Sequence, residues 1–220
     1  MSVFQKYRWR LLIALGALLS GLAYVFLIEG FLAITKPVQS DVLVIESWFP
    51  ENLAVLDAAE VIRQGNYRHI LCVALDEPSS RGSSGLPVAE RTARRLIGLG
   101  TDPQIIRVLN IPFENSKRTY TLAAAARDWL KKELPETRAI NLFSINVHAR
   151  KSHILFLKAF PPDYTIGIIA SKIPPYPYSR WWLSPKGIYV TVRNTFGYLY
   201  AVGFFPPSST QPVQAARWSR

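Results

Sequence analysis

Apolar and polar positions fall into blocks that change character along the chain. Leu11 to Ile28 is 18 residues without a charge, and Gly30–Ile34 extends the apolar run past Glu29. At about 1.5 Å of rise per residue, such a helix nearly spans a hydrocarbon core. After Pro37 the pattern becomes shorter. Five apolar runs, Asp41–Ile45, Ile70–Ala74, Ile105–Leu109, Ala139–Ile145 and Tyr164–Ala170, read as buried strands. Helical spacing fills the gaps between them. Val55, Ala59 and Ile62 follow a start at Pro50-Glu51 and end at Gly65-Asn66. Pro87 opens a second helix that runs to Gly98–Gly100. Ser116 or Thr119 caps a third, with Leu122, Ala126, Trp129 and Leu130 on one face. A fourth covers Ala149 to Phe160, with Ile154, Leu157 and Phe160 apolar, and a last one runs from about Lys186 to Val202. Asp76–Gly85 is a polar loop, and Ser171–Trp182 is rich in proline and aromatics.

This alternation predicts an α/β fold, a mostly parallel sheet with helices on both faces. The expected organisation is a cytoplasmic stub and transmembrane anchor over 1–36, one α/β domain over 37–205 and a flexible tail over 206–220. Lys6, Arg8 and Arg10 precede the apolar run, with Tyr7 and Trp9 interleaved, whereas only Lys36 follows closely. The positive-inside rule then places the N-terminus in the cytoplasm and the domain outside it, on a single-pass inner-membrane anchor. A cleaved signal peptide ending near Gly21-Leu22-Ala23 is the competing expectation, but it would leave Tyr24–Ile28 as an exposed apolar terminus. A buried helix is the third.

Charge narrows the function classes. The chain carries a net +11, with one cysteine and three histidines. That excludes a disulfide scaffold and a Cys-based zinc site, and no metal site is expected. The excess fits nucleic acid, an anionic membrane surface or a small anionic ligand. Basic residues are scattered or sit at strand ends, and no nucleic-acid module is readable, so nucleic acid is not the expected partner. Residues 1–36 account for +3, which membrane orientation explains.

In parallel sheets ligands bind beyond the C-terminal strand ends. Three segments lie there. Glu46-Ser47-Trp48-Phe49-Pro50 follows the first strand, with Glu46 either solvated or a site carboxylate, and Trp48 and Phe49 as a lid on the core or part of the site. Asn115-Ser116-Lys117-Arg118-Thr119 follows the third, and Asn146-Val-His148-Ala-Arg150-Lys151-Ser152 the fourth. Both of the latter precede helix N-termini, where backbone N–H groups favour an anion and where cations are locally unfavourable. A bound phosphate or carboxylate would reverse that cost. The alternative for each charge is an ordinary solvated surface position. The candidate ligand-binding residues are Glu46, Ser116, Lys117, Arg118, Thr119, Asn146, Arg150 and Lys151. His148 is a candidate donor or general acid/base, against a capping or core role. No G-x-S-x-G elbow, G-x-G-x-x-G turn or P-loop occurs.

Five segments together resemble a known family. They are Asp41–Pro50, Ala89-Glu90-Arg91, Ser116–Ala123, Ser144–Ser152 and Trp181–Gly187. In order they are similar to the ElyC/SanA/YdcF-like family of bacterial envelope-associated proteins, closest to an uncharacterised branch. The likeness covers about residues 40–203. It implies a Rossmann-like domain behind one membrane anchor, and a link to envelope integrity, peptidoglycan and lipid-carrier metabolism. One branch is associated with S-adenosylmethionine. The family's site residues map onto Glu90, Thr119, His148 and Arg150 or Lys151, with Glu90 and His148 as the catalytic candidates. Glu46-Ser47 stands where the family has Gly-Gly, and Ala74-Leu75-Asp76 where it has Ser-Gly-Gly. Arg118-Thr-Tyr-Thr-Leu-Ala123 replaces its Asn-Thr-x-x-Asn-Ala. Two places where backbone approaches a ligand closely are thereby lost. Three functions follow as expectations: envelope biogenesis through an anionic phosphate, glycan or lipid-carrier ligand; a cytoplasm-facing domain for S-adenosylmethionine or a nucleotide-like cofactor; or a non-enzymatic membrane adaptor, with Trp181, Trp182, Phe204 and Phe205 as contacts.

Overall fold

The structure is a computed structural model, and it describes residues 3–48, 53–81, 84–176, 180–205 and 217–219. The expected lid residue Phe49 and the helix start at Pro50-Glu51 lie outside the described residues. A 30-residue helix, α1 (Val3–Leu32), leads into an α/β domain. The domain's elements are β1 (Val42–Glu46), α2 (Ala54–Gln64), β2 (His69–Asp76), α3 (Val88–Gly98), β3 (Ile106–Pro112), α4 (Arg118–Glu133), β4 (Ala139–Ser144), α5 (Ala149–Ala159), β5 (Thr165–Ala170) and α6 (Pro185–Gly203). Strands β5-β4-β1-β2-β3 form a parallel sheet in that order, a Rossmann-like arrangement. Arg217–Ser219, expected in the loose tail, instead adds β6 antiparallel to β3. An open β3 edge offers unpaired backbone groups, and three residues suffice to take them.

Strand residues alternate between two cores. Val42 and Val44 pack with α4 and α5 side chains such as Leu122, Trp129 and Phe156. Leu43 and Ile45 pack on the other face with Val55, Ala58 and Leu96 of α2 and α3. Burial on both faces is why the strands read as continuous apolar runs. Glu46 continues the even-numbered set, so it points to the α4/α5 face at the end of β1.

Helix α5 departs from expectation. Leu155, Phe156 and Ala159 are buried, while Leu157 is exposed. The sheet takes Phe156 and α6 takes Leu155 against Ala201 and Phe205, so two neighbours divide the apolar residues rather than one stripe. Neither Ser116 nor Thr119 caps α4. Lys117 holds that position in a left-handed conformation (φ 56°), and the Ser116 hydroxyl contacts Glu114.

Helix α1 is long and apolar enough to span a membrane over Tyr7–Leu32. Its C-terminal third docks on the domain. The Tyr24 hydroxyl bonds Thr195 Oγ1 (3.0 Å), Trp181 Nε1 donates to the Val25 carbonyl (3.1 Å), and Tyr176 donates to the Glu29 carboxylate (2.8 Å). Beyond it, the Ala170 N–H donates to Thr35 Oγ1 and Lys36 pairs with Ile168. The chain therefore enters the domain beside the C-terminal end of β5 and covers that edge.

Candidate functional site

The chain runs from β1 outward through β2 and β3, then returns to β4 and β5 on the other side. The β1/β4 boundary is thus the switch point, where parallel sheets open a crevice at their C-terminal edge. A cavity of about 660 Å³ lies there, reached by the ends of β1 and β2 and by α3, α4, α5 and α6. Of the residues singled out in the sequence, Glu46, Trp48, Arg118, Thr119, His148 and Lys151 line it.

Glu46 forms the floor. Its side chain is fully buried, and neither carboxylate oxygen has a hydrogen bond. The Ser144 and Ser152 hydroxyls, 3.5 Å apart, and the Lys151 ammonium face it and moderate the cost. Burial dominates and holds the carboxyl above its ordinary range. Ionised, Glu46 is opposed across the site by the Lys151 ammonium; protonated, it is a proton donor.

Lys151 is the inner cation. Burial pushes its ammonium down to about 8, against the attraction of Glu46, while Arg193 and Arg118 lower it further. Gly197 of α6 makes room for it, since an added Cβ would lie 2.9 Å from Lys151 Cδ.

His148 stands at the corner before α5. Its Nδ1 lies 2.9 Å from Asn194 Oδ1, and Asn194 Nδ2 donates to the Val190 carbonyl (2.9 Å). The amide's donor is thus committed, so its oxygen accepts and His148 carries its proton on Nδ1. Burial and the neighbouring Lys151 keep the ring well below its usual pKa, hence neutral, with Nε2 as acceptor. The Trp48 ring packs at 64° to the imidazole, 5.3 Å away.

Around the mouth stand Arg118, Lys186 and Arg193, all exposed, opposed by Glu77, which pairs with Arg118 at 3.3 Å. Val88, Leu122 and Val190 make an apolar wall. The arrangement can grip an anion at several oxygens, accept a proton at His148 and donate one from Glu46.

The other candidates lie elsewhere, for local geometric reasons. Glu90 pairs with Arg94 at 2.9 Å. Val88 of the same first turn faces the cavity, and two residues later the helix has turned to its opposite side. Arg150 is one position from Lys151 and points the other way. Its Nε donates to the Phe31 carbonyl, and its guanidinium sits 4.0 Å over the Phe31 ring. Ser116 and Lys117 are exposed on the turn before α4. Asn146 is a buried corner residue (φ 36°) whose N–H donates to Ser171 Oγ.

Sequence reasoning foresaw the helix but, reading only strand ends, missed α6 as a wall of the site. Lys186, Val190, Arg193 and Asn194 recur at the four-, seven- and eight-residue offsets of one helix face. That periodic signal was present, but no strand precedes it to mark it as a site. No protein-family model, curated protein or solved structure matches this chain.

Proposed function

We propose that this protein is a membrane-anchored α/β domain of cell-envelope biogenesis whose pocket binds a phosphate-bearing ligand, such as a lipid-carrier or glycan phosphate. The observation that carries this reading is the gathering of Arg118, Lys151, Lys186 and Arg193 around one crevice at the switch point. Four cations from three helices meet two carboxyl groups, of which the inner one is biased toward its neutral form. The apolar wall of Val88, Leu122 and Val190 suits the non-polar remainder of a lipid-linked or ringed ligand. The resemblance to the ElyC/SanA/YdcF-like family points the same way, as do Lys6, Arg8 and Arg10 in the first turns of α1, which favour an inner-membrane anchor with the domain outside the cytoplasm.

The roles divide by depth. Arg118, Lys186 and Arg193 capture and orient the phosphate from the rim. Lys151 neutralises it inside. Neutral His148 serves as the base and Glu46 as the acid in any proton transfer that follows.

Two measurements test the proposal. Full-length protein extracted in mild detergent is expected to release a phosphate-bearing lipid or glycan, identified by mass spectrometry, that is absent from the Lys151→Met/Arg193→Ala double variant. A C-terminal alkaline phosphatase fusion is expected to be active. Recovery of S-adenosylmethionine or a nucleotide, with an inactive phosphatase and a bright cytoplasmic fluorescent fusion, would overturn it in favour of the cofactor reading.

A further inference from the structure

Helix α6 carries more exposed apolar surface than a domain helix in water requires. Ile188, Tyr189, Phe196, Leu199 and Tyr200 are each between 45% and 66% exposed. At 100° per residue they fall on one side of the helix. The buried residues Gly187, Thr191, Asn194 and Ala201 take the opposite side. Of the two remaining flanks, one meets α1 through Thr195 and Tyr198, and the other lines the cavity through Lys186, Val190 and Arg193. The apolar stripe therefore runs between the anchor and the mouth of the pocket.

The length of α1 says what covers it. Arg10 is the last charge before the apolar run, and the domain first touches α1 at Tyr24. Leu11–Ala23 is 13 residues, a rise of about 20 Å. A hydrocarbon core is about 30 Å thick and needs about 20 residues. A bilayer that begins at Leu11 must then reach roughly to Gly30, past Tyr24 and close to Phe31. At that level sit Thr195 and Tyr198 of α6, which flank the stripe, and Trp182; they pack on Tyr24, Phe31 and Phe26 respectively. The chain also enters beside the C-terminal end of β5, so the membrane lies on the pocket's side of the sheet. Arg180 over Trp182 (5.7 Å) and Arg193 over Tyr189 (5.9 Å) give this surface the mixed basic and aromatic character of a bilayer interface.

We propose that the exposed face of α6 is seated in the bilayer surface beside α1, so that the pocket opens at the membrane interface and takes its ligand from the plane of the membrane. This rests on the anchor reading above. It turns the pocket from one that binds a soluble anion into one that meets a headgroup.

The test uses the full-length chain in vesicles of phosphatidylcholine with about a quarter phosphatidylglycerol. Phe196→Cys and Leu199→Cys carry an environment-sensitive dye, the native Cys72 being buried, and Gln104→Cys at the opposite edge of the sheet is the reference. Lipids brominated near the headgroup end of their chains are expected to quench the dye at 196 and 199 several-fold, and not at 104. Equal, weak quenching at all three positions in protein that resists alkaline extraction overturns the seating of α6 and leaves the anchor standing. Release of the chain by alkali overturns both. Cross-linking between copies at 196 or 199 without quenching gives the face to a second copy, and overturns the proposal as well.

Discussion

Two cavities of nearly equal size, about 660 and 620 Å³, open at opposite edges of the same sheet. Size does not separate them; the state of their polar groups does. At the N-terminal edge Asn141 reaches out of β4 and is satisfied throughout. Its Nδ2 donates to the Val38 carbonyl (2.8 Å) and to Tyr67 Oη (3.1 Å), and its Oδ1 accepts from the Val38 N–H (2.9 Å). Gly167 exists for this contact, since a Cβ there would lie 2.0 Å from Asn141 Oδ1. At the C-terminal edge Glu46 is equally buried with no hydrogen bond, Lys151 is held partly deprotonated, and His148 is neutral. A buried polar group with its partners in place holds a chain in register. One whose neighbours only partly offset its burial, as Ser144, Ser152 and Lys151 do for Glu46, costs stability and is available for a ligand. Substitution should therefore act on folding at one edge and on binding at the other.

The largest effect is expected at the satisfied edge. Asn141→Leu removes three hydrogen bonds and leaves the Val38 N–H and carbonyl unpaired. About 3 kcal/mol of stability should be lost, lowering the thermal midpoint by roughly 6–12 °C, with anion binding by the folded protein unchanged. A midpoint within a degree of the parent would dissolve the contrast between the edges.

The second effect is the converse. Lys151→Met should weaken sulfate binding by about 30-fold, the loss of a charge-assisted contact worth roughly 2 kcal/mol. Stability at neutral pH should hold or rise. The folded state binds this proton less tightly than the unfolded chain does, so burying the ammonium costs stability below about 8. That cost fades as the pH climbs toward 10.5. Calorimetric titration with parallel melting curves separates the two outcomes; a variant that loses stability and keeps its affinity would place Lys151 with the structural residues.

Much of this was legible in the sequence. Five buried strands and the helices between them follow from apolar runs of the right length, because both faces of the sheet are covered. The strand-end rule found Glu46, Arg118, Thr119, His148 and Lys151. It could not choose between Arg150 and Lys151, because one residue of helical rotation decides which enters the pocket and which packs on Phe31. It took Glu90 from a resemblance, and the α3 geometry offers Val88 to the cavity instead. It overlooked Arg193 and Asn194, since which face of α6 covers the crevice is decided by tertiary packing against α1 and α5.

The third prediction concerns pH. Sulfate keeps its charge across the range, so any change in its affinity reports the protein. Affinity should be steady below about 8 and fall above it by up to tenfold per unit as Lys151 loses its proton. In Lys151→Arg the fall should disappear. In Glu46→Gln it should begin at lower pH, because Glu46 is the group that supports the Lys151 charge. An unchanged profile in Glu46→Gln would show that the two do not face one another in solution.

The smallest effect is expected at Asn194, which orients His148 without lining up with any cation. Asn194→Ala should cost about 1 kcal/mol of stability and leave sulfate affinity within a factor of two. Its signature lies in the imidazole. In the parent, the hydrogen bond to Asn194 Oδ1 commits the proton to Nδ1, and nitrogen-15 shifts of the ring should report that one tautomer. In the variant both tautomers should appear. The ring should resist protonation still more, because the Asn194 bond is the one contact that raises its pKa against burial and against Lys151 and Arg193. A merely structural Asn194 would alter the melting curve and leave the ring spectrum untouched. The two readouts together decide whether the C-terminal edge is arranged to present a base or only to hold an anion.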